Sequence, residues 1–271
     1  MESPDGIAGV FDRAADTYDA VGVPWVGPIA TRLVAELDVR PGTRVLDIGC
    51  GRGAALGPLA LATGPTGHAL GIDLAPRMVE LTARDLAHLP QVEVRVADAR
   101  APELPPASFD VVAASLVLFF LPEPAAALRA WTELVVHGGR LGVTTLGEKD
   151  PGWTAVDQLF GPHLPPELIE ARSRALRGPY ASDAGVERLF SDAGLTDVRT
   201  VVHSVDAVFG DPEQFVAFSW SHGQRSMWEA VPEAARPGLQ EEVLGALEEQ
   251  RDASGRITFR QAVRHTLGVR P

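Results

Sequence analysis

Residues 44–53, RVLDIGCGRG, run from an apolar strand through an acid into a loop with glycine at 49, 51 and 53. Such a loop turns sharply and brings its backbone close to a ligand, with no Cβ in the way. Twenty-four residues after Gly49, a second apolar stretch, HALGID, ends in Asp73. A carboxylate there can accept hydrogen bonds from both hydroxyls of a ribose. The pair predicts a parallel α/β sheet with a site for a nucleoside-bearing cofactor.

Ile29, Leu33, Val34 and Leu37 are spaced as in a helix until Pro41-Gly42, so residues 1–40 read as helical. The pattern then predicts strands at 44–48, 68–72, 92–97, 109–114 and 140–146. Helices are expected at 54–62, 76–89 and 124–136, the last ended by Gly138-Gly139. This βαβ rhythm buries both faces of a parallel sheet. After Leu146 it breaks. Residues 147–182 carry five prolines and no continuous apolar face, and are expected to form a lid insertion over the crevice. A helix at 184–193, a strand at 197–205, an aromatic-rich helical stretch from Pro212, an acidic helix at 234–250 and a strand at 257–267 follow. The chain reads as one domain: helices 1–40, cofactor core 41–146, lid 147–182, and a C-terminal part 183–271 with substrate-side helices.

The formal charge of -12, with Lys149 the only lysine, lacks the basic footprint of a nucleic-acid binder. Cys50 is the only cysteine, so no intrachain disulfide forms. No apolar run approaches a membrane span, and no signal-peptide pattern is present. The expectation is a soluble cytoplasmic protein with no membrane or nucleic-acid partner; monomer and homodimer stay open.

The string GCGRGA at 49–54 nominally satisfies the dinucleotide fingerprint, which keeps an NAD(P)-dependent oxidoreductase as an alternative. Two features turn away from it. Asp47 stands where a dinucleotide site usually has an apolar residue, and can take the ammonium of an amino-acid-bearing ligand. The third strand closes in Asp98-Ala99, where a carboxylate can accept the exocyclic amine of adenine.

At these motifs the chain resembles the class I S-adenosylmethionine-dependent methyltransferases, especially the small-molecule branch with the ubiquinone and menaquinone methyltransferases. LDIGCGRG at 46–53, GIDLAPRMVE at 71–80, ADA at 97–99, FDVVAAS at 109–115 and HGGRLGV at 137–143 occur in the family's order. FDRAADTYD at 11–19 is similar to the family's N-terminal helix, and His137 stands where a proline is usual. The resemblance implies a Rossmann-like, seven-stranded, mostly parallel sheet with one antiparallel strand and helices on both faces. It also implies S-adenosylmethionine as cofactor and S-adenosylhomocysteine as product. Asp47 and Gly49 would hold the methionine moiety with Gly51 beside it, and Asp73 the ribose. Leu74 and Met78 would pack near adenine, and Asp98 and Ala99 bind its edge. Ser115 and Leu116 would line the transfer centre, and Tyr18 close over the sulfonium.

The acceptor pocket is expected beyond Leu146, among Trp153, Phe160, Tyr180, Phe209, Phe215, Phe218, Trp220 and Trp228. They suit an apolar or aromatic small acceptor, though the same residues could be core. His222, in SWSHGQR, is the candidate base. Glu170 shares a helix face with Glu167 and is a second candidate, as base or metal ligand. No His/Cys metal cluster is present, and the sequence does not require a metal. Methyl transfer to oxygen, nitrogen or carbon of a small metabolite, in natural-product or quinone-type metabolism, is the leading reading. A protein of this fold that binds the cofactor without methyl transfer, as a cyclase or regulatory module, is the further alternative.

Overall fold

The apolar runs that open the α/β half lie at the centre of a seven-stranded sheet. The computed structural model describes residues 6–271; residues 1–5 of the expected N-terminal helical segment lie outside them. In chain order come α1 (Ile7–Ala14), α2 (Val26–Leu37), β1 (Arg44–Ile48), α3 (Leu56–Thr63), β2 (His68–Asp73), α4 (Pro76–Asp85), β3 (Val92–Val96) and β4 (Phe109–Ser115). Then follow α5 (Pro124–Leu134), β5 (Val135–Lys149), α6 (Pro151–Gln158), α7 (Pro166–Arg174) and α8 (Asp183–Asp192). The chain closes with β6 (Thr196–Phe209), α9 (Pro212–Ser221), α10 (Arg225–Ala230), α11 (Arg236–Glu248) and β7 (Ile257–Val269).

The strand order is β3-β2-β1-β4-β5-β7-β6. β1 to β5 pair in parallel, and β7 runs antiparallel to both of its neighbours. The order reverses between β1 and β4, which leaves a crevice at their carboxyl ends. Val45, Val111 and Ala113 bury one face against Leu33, Leu37 and Leu59 of α2 and α3. Leu46, Ile48, Val112 and Val143 bury the other against Trp131 of α5 and Phe190 of α8. Burial on both faces is why these strands read as unbroken apolar runs.

Several boundaries differ from the sequence reading. Residues 15–25 form no regular helix between α1 and α2, because Asp19 (φ 54°) and Gly22 (φ 77°) leave helical space. Gly138-Gly139 do not end a helix. α5 stops at Leu134 and β5 begins at once. The register jumps from Phe109↔Val135 to Val111↔Arg140, so the glycines form a bulge inside the strand. A Cβ on Gly139 would lie 2.7 Å from the Asp110 carbonyl oxygen.

The expected lid divides in two. β5 continues to Lys149, and α6 buries Trp153 and Val156, with Phe160 just beyond it. These three are spaced i, i+3, i+7, an apolar helix face that the prolines obscured. They join a third core with Trp25, Phe215, Phe218, Trp228 and Phe259. Only α7 buries no side chain. β6 and β7 pair from Thr196↔Val269 to Phe209↔Ile257, a wide hairpin with α9–α11 between its arms.

This division sets an expectation for amide exchange. The amides of α6 should exchange slowly, like those of β1 and β4, while those of α7 exchange several orders of magnitude faster. Hydrogen exchange read by mass spectrometry on peptides spanning 151–160 and 166–174 checks it. Equal protection of the two peptides contradicts the division.

Candidate functional site

The loops after β1, β2, β3 and β4 meet α1 and residues 15–18 around one cleft. It is partly enclosed and opens to solvent at its mouth. Tyr18, Gly49, Gly51, Asp73, Leu74, Met78, Asp98, Ala99, Ser115 and Leu116 all line it. Asp47, the remaining expected binding residue, lies buried behind this wall.

Backbone geometry explains the glycines. Gly49 has φ 67°, and a Cβ there would lie 2.4 Å from Val117 Cγ2 of the β4 loop. Gly51 has φ 49° and faces open space. The loop is held from below by Asp73. Asp73 Oδ2 accepts the Gly51 N–H at 2.8 Å and Oδ1 accepts the Ala75 N–H at 2.9 Å. Thr82 Oγ1 donates to the Gly51 carbonyl at 2.7 Å. Burial raises the Asp73 pKa and these amides oppose the rise. Each carboxylate oxygen keeps a further lone pair for a ligand.

Three buried polar groups at or beside the cleft lack protein partners. Neither oxygen of Asp47 has one, nor does Ser115 Oγ, nor His222 Nε2. Burial pushes the Asp47 pKa up to about 8, and the Asp73 charge adds to the rise. An unpartnered buried carboxylate is costly and suits a cation brought by a ligand. Cys50 is buried in the same loop, and burial pushes its thiol up, away from thiolate reactivity. Leu116 has φ 61°, an unusual conformation for a residue with a side chain, at the point where β4 enters the cleft.

Asp98 is partly committed. It accepts the Arg100 backbone N–H at 2.8 Å and its guanidinium at 2.6 Å, and this pairing holds the carboxyl below the usual range. Arg100 itself lines the cleft, a residue that the sequence reading missed. Also missed were Phe11 and Phe120, whose rings lie 5.5 Å apart, with Tyr18 5.9 Å from Phe11. Phe11 belongs to the FDRAADTYD motif and Phe120 to the apolar run after β4, so the motif neighbourhood could have suggested both.

The C-terminal aromatics do not form this wall. Trp153, Phe160, Tyr180, Phe209, Phe215, Phe218 and Trp228 are buried in the cores, and Trp220 stacks on Trp228 at 5.7 Å. Most of them pack together against Trp25, Val26 and Ile29 and against strands β6 and β7, while Tyr180 packs beside Phe119.

His222 does not line the cleft, but its ring is 4.8 Å from that of Tyr18, which does. Its Nδ1 lies 3.0 Å from the Phe218 carbonyl oxygen and 2.7 Å from Ser221 Oγ. A carbonyl only accepts, so Nδ1 carries the proton and Nε2 keeps a bare lone pair. Burial lowers the pKa to about 4, so the ring is neutral near pH 7. Glu170 stands exposed on α7 and does not line the cleft. The expectation of a base or ligand at that position finds no geometry to support it, because α7 turns its carboxylates to solvent. Among the described residues no His, Cys, Asp and Glu side chains cluster to hold a metal.

A family model described as a methyltransferase domain matches residues 46–143. Nocamycin O-methyltransferase of Saccharothrix syringae is 36% identical over 97% of this chain and 98% of its own length. The chain belongs to the S-adenosylmethionine-dependent methyltransferases. Aklanonic acid methyltransferase DauC of Streptomyces sp. strain C5 is 38% identical over 59% of this chain and 74% of its own. The YcgJ protein of Bacillus subtilis shares the fold, with a TM-score of 0.59 at 17% identity over 90% of this chain and 98% of that one. Likeness over nearly the full length of a named O-methyltransferase favours methyl transfer over the oxidoreductase alternative and over a protein of this fold that binds the cofactor without methyl transfer. Among the described residues no helix of this methyltransferase is long and apolar enough to cross a membrane.

Asp47 gives a pH test of its environment. The unfolded carboxyl titrates near about 3.9, and the folded one at about 8. Between these values the folded chain keeps a proton that the unfolded chain has lost, so stability from this group falls as pH rises. It is fully present below about pH 4 and gone above about pH 8. Asp47→Asn should therefore raise the melting temperature of the free protein, by roughly 5 °C at pH 8 and less at pH 6. Thermal melts across pH check this, and a variant that tracks the wild type at every pH contradicts it.

Proposed function

We propose that this methyltransferase methylates an oxygen of a small, largely apolar natural-product metabolite in the cytoplasm. The full-length likeness to an O-methyltransferase carries the reading. The apolar wall of Phe11, Tyr18, Leu116, Val117, Phe120 and Leu121 supports an apolar acceptor. The charge of -12 supports the absence of a nucleic-acid partner.

When bound, S-adenosylmethionine supplies a methyl group on a sulfonium, with a neutral thioether as the leaving group. The residues present fit it. The two orphan oxygens of Asp47 provide a counter-charge for the ammonium, in line with the buried carboxylate's lack of partners. Asp73, pinned by two amides, offers its remaining lone pairs to the ribose diol. Met78 and Leu74 would flank the adenine, and Asp98 and Ala99 would meet its edge. Gly49 and Gly51 would let the backbone follow the methionine moiety. Tyr18, Ser115 and Leu116 would line the transfer centre and exclude water, so that alignment would do most of the catalytic work.

A base is needed only where the acceptor must lose a proton. His222 is our candidate, because its tautomer presents Nε2 as acceptor and its ring lies 4.8 Å from that of Tyr18, which lines the cleft. A ring already neutral down to about pH 4 keeps this capacity across the working range.

Two measurements test the reading. Asp73→Ala removes the ribose acceptor and should weaken S-adenosylmethionine by tenfold or more in calorimetry, since charge-assisted hydrogen bonds contribute about 1.5–3 kcal/mol each. Unchanged affinity would falsify the assignment of the ribose site. For the reaction, labelled methyl donor is incubated with a panel of hydroxylated and acidic polycyclic metabolites, and the product is located by NMR. An O–CH₃ product is expected, and His222→Gln should lower kcat by about 10²-fold at unchanged cofactor affinity. A methyl found on carbon or nitrogen overturns the choice of oxygen.

A further inference from the structure

Lys149, the only lysine among the cations of this chain, is nearly buried at the end of β5. It pairs with Asp157 of α6. Arg172 of α7 reaches the same Asp157 Oδ2 at 3.3 Å, and Gln224 Nε2 donates to Oδ1 at 2.9 Å. The Asp157 carboxylate is thus saturated by two cations and an amide. Its side chain and that of Arg172 are each under a third exposed. The charges acting on Lys149 are those of Asp157 and Arg172, and burial lowers its pKa. The cluster holds one positive charge more than it neutralises, in a place where an unbalanced charge is costly.

Two neighbours connect this cluster to the cleft. α7 packs against the turn Leu118–Phe120, and Phe120 lines the cleft. A Cβ on Gly223, beside Gln224, would lie 3.6 Å from the ring of Phe11, another lining residue. Ile169 of α7 and Leu176, two residues past its end, stand at 47% and 44% exposure, so both are open to solvent.

We propose that Lys149 and Arg172 form an anion-binding subsite for the methyl acceptor, which carries an acidic group at the end remote from the methylated atom. This rests on the methyltransferase reading above. Remoteness follows from the sheet. Ser115 in the cleft pairs with Thr144, and Lys149 lies five residues further along β5. At about 3.3 Å per residue, less the shortening of the β-bulge, that is on the order of 15 Å between backbones. A long lysine side chain shortens the span by several ångströms. The acceptor is therefore an elongated, apolar body with one anionic end. The apolar wall at Phe11 and Phe120 takes its body, and the paired cations take its carboxylate, sulfonate or acidic enol.

The probe is 1-anilinonaphthalene-8-sulfonate, with neutral N-phenyl-1-naphthylamine as its uncharged counterpart. Both are titrated by fluorescence into the full chain saturated with S-adenosylhomocysteine. Arg172→Gln and Lys149→Met should each weaken the sulfonate about tenfold and leave the neutral probe within about twofold. Arg172→Lys should recover most of the loss. Calorimetric affinity for S-adenosylmethionine, read on the same samples, should stay at the wild-type value and so report an intact fold. Sulfonate affinity unchanged in both variants, or an equal loss for the neutral probe, overturns the subsite. Failure of the wild-type chain to bind S-adenosylmethionine overturns instead the methyltransferase reading on which it rests.

Discussion

The site depends on one carboxylate held by two backbone amides. Asp73 ends β2, and its oxygens take the N–H groups of Gly51 and Ala75. This fixes the glycine loop of β1 to the start of α4, across the neighbouring strand. The loop keeps its open shape because positive φ at Gly49 and Gly51 is tolerated there. The approach of Val117 to Gly49 then joins the β1 loop to the β4 loop. Burial makes the charge on Asp73 costly, and the two amides offset part of that cost. The same acid thus holds the loop in place and keeps lone pairs for the ligand.

The cofactor half was legible because each residue sits at a strand end, and strand ends are written locally. Asp47, Gly49, Asp73, Asp98 and Ser115 each follow a short apolar run, and the parallel order brings those ends together. Gly138-Gly139 misled because a double glycine can end a helix or form a bulge, and only pairing with β4 decides between them. Phe11 and Phe120 were missed because their meeting depends on α1 folding across the crevice. Glu170 was misplaced for a similar reason: carboxylates at i, i+3 define a face, but not which way that face points.

The second half of the chain was harder to read. Its aromatics suggested an acceptor pocket, yet most of them form a core of their own around Trp153, Phe218 and Trp228. Composition identifies apolar mass, and tertiary packing decides whether it encloses a ligand or itself. The prolines of 147–182 also concealed the apolar face of α6 within a segment that reads as loop. What remains beside the cleft is a narrower set: the wall near Tyr18, the ring of His222, and the charged cluster beneath α7.

The ends of the α9–α11 segment meet, since Phe209 and Ile257 face each other as the last pair of the β6–β7 ladder. The forty-seven residues between them are thereby mounted on two adjacent backbone positions. The cost of closing such an excursion grows only slowly with its length. The strands keep their register whatever the excursion contains. The fold is thus a fixed chassis with an interchangeable cassette, in which the α9–α11 segment can diverge while the strands whose ends form the cleft stay unchanged.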